Sequence, residues 1–93
     1  MTSLWYSTVL SNLQPSSSLL DIGVGNASSL LSSSNARVIS SKRLQVYGVD
    51  YTQSYVNSAQ ENINKANLSK SIKVVYGSVY DTKLLKSLLP NPR

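Results

Sequence analysis

The spacing of apolar residues changes along the chain, and the changes divide it into alternating helices and strands. In residues 2–13, Trp5, Val9 and Leu13 recur at helical intervals with Leu4 and Leu10 beside them, and Pro15 ends the segment. An amphipathic helix is predicted there. After the polar joint 16–18, Leu19, Leu20 and Ile22 form a short strand that stops at Gly23. A second strand is predicted over residues 44–49, ending at Asp50, and a third over 72–76, ending at Gly77. Between the first two strands, Leu30, Leu31 and Val38 predict a short helix inside a loose connection, because its many serines are poor helix formers. The next helix is better marked. Thr52 stands at the cap position, Val56, Ala59, Ile63 and Ala66 share one face, and Asn67 suits a left-handed helix end. Paired leucines in the tail predict a final short helix halted by Pro90.

Helices and strands that alternate in this way make right-handed βαβ units and a parallel sheet, so the expected class is α/β. In open parallel sheets, ligands sit outside the carboxyl ends of the strands. The segments 21–25, 50–52 and 77–81 are therefore expected on one rim. Each brings a glycine or an acid to that rim.

Composition narrows the chemistry. At 93 residues the chain is one small domain at most, with a thin core. It has no cysteine and no histidine, which excludes a disulfide framework, the usual zinc sites and an imidazole base. No metal is expected. The net charge of +5 comes from scattered cations and reads as a solvated surface, with a weak general attraction for nucleic-acid phosphate. No apolar run approaches the roughly 20 residues that cross a bilayer, and the first ten residues lack the basic and apolar regions of a secretory signal. The expectation is a protein without a membrane span, cytoplasmic by default.

Gly23 and Gly25 allow a tight turn from strand into helix and a close backbone approach to a ligand. The same pair also occurs in ordinary turns. Asp50, at the end of the second strand, is placed to accept hydrogen bonds from both hydroxyls of a ribose, or to cap the helix that follows.

Taken together, LLDIGVGNA, VYGVDYTQSYVNSAQENI and VVYGSVYD resemble, in this order, the first three motifs of the class I S-adenosylmethionine-dependent methyltransferases. The resemblance covers about residues 13–81. It implies a Rossmann-like three-layer αβα fold with a parallel sheet, present as three strands of a seven-stranded sheet. Residues 1–14 would form an N-terminal helix, 15–82 the cofactor-binding βαβαβ unit, and 83–93 a C-terminal helix and tail. It implies S-adenosylmethionine as the cofactor, with Asp21, Gly23 and Gly25 at its amino-acid end and Asp50 on the ribose. Tyr51 would lie beside the adenine, Ser78 and Val79 along its edge with the Val79 amide as a donor, and Asp81 in the same loop or capping the last helix. Catalytic residues and the methyl acceptor are not implied, since the acceptor pocket of the family is built from later elements. The resemblance also implies an unpaired outer edge on the first strand, which invites self-association.

Departures accompany the match. Ala27 stands where a third glycine is common, Ser78 where an acid often contacts the adenine amine, and the connection from Asp21 to Asp50 exceeds the about 20 residues of compact units. The competing readings are a nicotinamide dinucleotide site in an oxidoreductase and a noncatalytic module that keeps the fold. The first is disfavoured by charge: Asp21 close to the turn would repel a pyrophosphate and tolerate a cofactor that carries a sulfonium and an ammonium group.

Overall fold

The computed structural model describes residues 2–77. It contains α1 (Ser3–Asn12), β1 (Ser18–Ile22), α2 (Ser33–Ser41), β2 (Gln45–Asp50), α3 (Gln53–Lys65) and β3 (Ile72–Tyr76). The strands form one parallel sheet in the order β1-β2-β3. This is the Rossmann-like α/β arrangement expected from the sequence. The predicted C-terminal helix, with Ser78, Val79 and Asp81, lies outside the described residues. Among the described residues no strand pairs the outer edge of β1, and no helix is long and apolar enough to cross a membrane.

Alternation along the strands assigns their faces. Leu19, Val46 and Ile72 lie side by side, as do Asp21, Gly48 and Val74. Most of this face is buried with residues of all three helices, including Tyr6 and Leu10 of α1, Ile39 of α2, and Ala59 and Ile63 of α3. The core thus sits between one sheet face and the helices. The valine-rich β2 is its most enclosed strand, as a central strand of a parallel sheet should be.

Helix ends follow local chemistry. Thr2 caps α1, its hydroxyl accepting from the Trp5 amide at 3.2 Å. After α3, Asn67 takes the left-handed conformation, φ 59°, and its amide donates to Asn64 O while the Leu68 amide donates to Ile63 O, each at 3.1 Å. These paired bonds close the helix as a Schellman motif, with Leu68 tucked into the core. The end of α2 repeats the arrangement: Arg43, φ 54°, donates to Ser40 O at 3.2 Å, and Leu44 to Ile39 O at 3.0 Å.

Two expectations are corrected. Leu30 and Leu31 precede α2, which begins only at Ser33; they lie in a series of turns where the serine-rich sequence does not sustain a helix, although Leu30 is fully buried. In α1 the buried residues are Tyr6 and Leu10, whereas Trp5 is 45% exposed and Leu4 75%. The helix is rolled relative to the predicted face because the Tyr6 hydroxyl reaches a buried carboxylate on β1.

Candidate functional site

The β1–α2 turn is built around two left-handed glycines, Gly23 at φ 78° and Gly25 at φ 61°. A Cβ on either would meet no atom within 4 Å, so the positions are open to a ligand as well as conformationally suited to glycine. Val24 between them points inward over Gly48, where a Cβ would come within 3.1 Å of Val24 and Val74. The glycine of β2 therefore lets the turn settle on the sheet. Sequence reading gave Gly48 no role, because its neighbour is 24 residues away.

Asp50 joins the three rim segments. Its Oδ2 accepts from the Gly25 amide and its Oδ1 from the Thr52 amide, both at 2.9 Å, and its carbonyl accepts from the Gly77 amide at 2.9 Å. Gly23 and Val24 donate to the adjacent Val49 carbonyl at 2.8 and 3.4 Å. A carboxylate has about four acceptor positions, so two remain after these amides are satisfied. Thr52 occupies the N-cap position of α3 without a side-chain capping bond; its amide is held by Asp50 instead.

Beside this junction lies a cavity of about 310 Å³, at the lower end of the range for small-molecule sites. The 23–26 turn, Ser28 and Ser29 line it, together with Tyr6 of α1 and Tyr55 of α3. The Asn62 side chain of α3 donates to Asn26 O at 2.9 Å and ties the turn to that helix. Asp50 and Tyr51 are outside the lining, with Tyr51 78% exposed at the rim. Asp21 is also behind the wall: it is buried, and its Oδ2 accepts from the Tyr6 hydroxyl at 2.7 Å. Asp21 Oδ1 is buried without a hydrogen-bond partner.

Burial pushes the Asp21 carboxyl above its ordinary pKa, and the bond from Tyr6 only partly offsets this. Burial, followed by the bond to Asp21 and its charge, holds the Tyr6 phenol far above its own ordinary range, so it remains a donor.

The structure therefore brings Gly23, Gly25 and Asp50 together at one rim, with Tyr51 at its edge, and places Asp21 buried beneath it in β1; Ser78 and Val79 lie outside the described residues. Tyr6 and Tyr55 were not singled out as site residues in the sequence. An aromatic in the first turn of α3 was a readable signal for Tyr55, while Tyr6 looked like helix packing.

No protein-family model and no curated protein matches the sequence. Solved structures do. The TrmK protein of M. capricolum, in complex with S-adenosyl-homocysteine, superposes with a TM-score of 0.70 at 21% identity over 96% of this chain and 38% of that one. An RNA methyltransferase of Salinibacter ruber, also with S-adenosyl-L-homocysteine, gives 0.72 at 14% identity over 90% of this chain and 53% of that one. The fold is that of the class I S-adenosylmethionine-dependent methyltransferases. A methyltransferase of Aquifex aeolicus is similar at 25% identity with a TM-score of 0.58, over 78% of this chain and 38% of that one. Against such methyltransferases the chain spans between about a third and a half of their length. The methyltransferase fold places the glycine turn and Asp50 at the carboxyl ends of the strands, where open parallel sheets bind ligands.

Proposed function

We propose that the chain binds S-adenosylmethionine and serves as the cofactor-holding portion of a methyltransferase. One observation carries this reading: Asp50 meets all three rim segments at once, through the amides of Gly25, Thr52 and Gly77 at 2.9 Å each. A carboxylate fixed by two amides keeps acceptor capacity for the two hydroxyls of a ribose, already oriented before a ligand arrives. Gly23 and Gly25 let the amino-acid end approach the backbone, Tyr51 offers a face to the adenine, and Ser78 and Val79, next in sequence after Gly77, are the proposed contacts for its edge. The neighbours solved with S-adenosylhomocysteine support the same cofactor.

Bound there, the cofactor supplies a sulfonium methyl group for direct displacement, so the chain needs to align the donor and exclude water rather than provide a nucleophile. The βαβαβ unit that begins at β1 holds it, and α1 contributes Tyr6 to the cavity beside the glycine turn. A nucleic-acid acceptor is supported by the +5 charge and by the RNA methyltransferase among the structural neighbours. Binding of single-stranded RNA that weakens steeply with salt is the expected result for that acceptor.

Isothermal titration of the chain with S-adenosylmethionine, S-adenosylhomocysteine and NAD tests the cofactor. Binding of the first two but not of NAD is expected. Binding of NAD alone makes the chain a dinucleotide module, and binding of none makes it a noncatalytic relative of the fold.

A further inference from the structure

Tyr6 stands between the cavity and Asp21. Tyr6 is among the residues that line the cavity although it is only 2% exposed, and its hydroxyl donates to Asp21 Oδ2 at 2.7 Å, while Asp21, 3% exposed, does not line the cavity. The second oxygen of that carboxylate is buried and unpartnered. The negative charge is thus under-satisfied, and among the cavity-lining residues it bonds only Tyr6. A hydroxyl that donates to a carboxylate becomes a better acceptor, because hydrogen bonds in a chain polarise one another. The phenol oxygen keeps acceptor capacity for this.

The helix that carries Tyr6 is fixed at both ends. Asn35, buried in α2, donates from Nδ2 to Ser3 O and to Ser29 O at 3.1 Å, joining the start of α1 to the cavity wall. At the other end Lys42 Nζ donates to the carbonyls of Leu10, Ser11 and Leu13 at 3.1, 2.8 and 2.9 Å. The position of Tyr6 is set by the fold before any ligand enters.

We propose that Tyr6 is the contact for the α-ammonium group of the cofactor, accepting a hydrogen bond from it while presenting the charge of Asp21 behind. Asp21 is then a positioning residue that acts through the phenol. The pair selects ligands with a cationic amino-acid end and repels anionic groups such as a pyrophosphate. This rests on the cofactor reading above and adds to it a residue from α1.

The test compares two ligands of the whole chain by isothermal titration: S-adenosylhomocysteine, and 5′-methylthioadenosine, which keeps the adenosyl thioether but lacks the amino-acid end. The wild-type chain is expected to bind S-adenosylhomocysteine more tightly. Tyr6→Phe and Asp21→Asn should each weaken S-adenosylhomocysteine by about tenfold or more, as loss of a charge-assisted bond does, and leave 5′-methylthioadenosine unchanged. If Tyr6→Phe does not fold, as judged by circular dichroism, Asp21→Asn reads the same ratio, since its amide oxygen still accepts from Tyr6. An equal loss of both ligands, or an unchanged ratio, overturns the role of Tyr6 and leaves the cofactor site standing. Failure of the wild-type chain to bind either ligand overturns both together.

Discussion

The Gly25 amide donates to Asp50 Oδ2 at 2.9 Å across 25 residues of sequence, so the acid at the end of β2 is a structural part of the glycine turn. The same carboxylate holds the Thr52 amide through its other oxygen. Asp50→Ala should therefore destabilise the chain without any ligand present, by about 2 kcal/mol for two amides left without their acceptor. Urea denaturation measures the loss, and hydrogen exchange at Gly25 and Thr52 should quicken. A stability within about 0.5 kcal/mol of wild type would show that the carboxylate does not hold the turn.

Asp21 predicts a pH dependence of definite sign. Burial raises its folded pKa, so between the unfolded and folded values the native chain binds more protons than the unfolded one. Its contribution to stability is then lost as pH rises through that window. Asp21→Asn removes this slope: the stability of the variant minus that of wild type should be larger at pH 7 than at pH 4 in paired urea melts. A constant or shrinking difference would mean that the carboxyl is not desolvated.

What the sequence made legible was what local rules govern. The three strands, the left-handed Asn67 and the shared rim of Gly23, Gly25 and Asp50 all follow from short-range spacing and from the topology of βαβ units. The face of α1 did not, because Trp5 and Tyr6 are adjacent and only the buried Asp21 decides which turns inward. Asn35 is a similar case: a polar residue at a core position, legible only once Ser3 O and Ser29 O stand beside its amide. Gly48 needed knowledge of Val24 lying above it. In the 26–32 stretch, helix propensity was too weak to fix where α2 starts, and Leu30 is buried from a turn and not from a helix.

Lys42 extends this dependence on distant partners. Its ammonium satisfies three carbonyls at the end of α1, where cations also complement the helix dipole. Lys42→Met keeps the aliphatic stem and removes the donors. The expected cost is about 1.5–3 kcal/mol, with faster hydrogen exchange in α1 than in the sheet. Equal exchange rates in α1 of variant and wild type would sink the idea that this lysine docks the helix.

Arg43 offers the opposite case, a position where substitution should stabilise. It closes α2 in the left-handed conformation, which costs an L-residue about 1–2 kcal/mol and glycine almost nothing. Glycine also loses about 0.5–1 kcal/mol through the freedom of the unfolded chain, so the two effects oppose each other with the strain larger. Both bonds of the motif come from backbone amides, at Arg43 and Leu44, and survive the change. Arg43→Gly is expected to raise stability by about 0.5–1 kcal/mol, read as an upward shift of the urea midpoint at unchanged slope. Asn67, in the same conformation after α3, should gain less from glycine because asparagine tolerates it better. The order of the two gains is the sharper test: a larger effect at Asn67 would show that the backbone conformation is not what limits these helix ends.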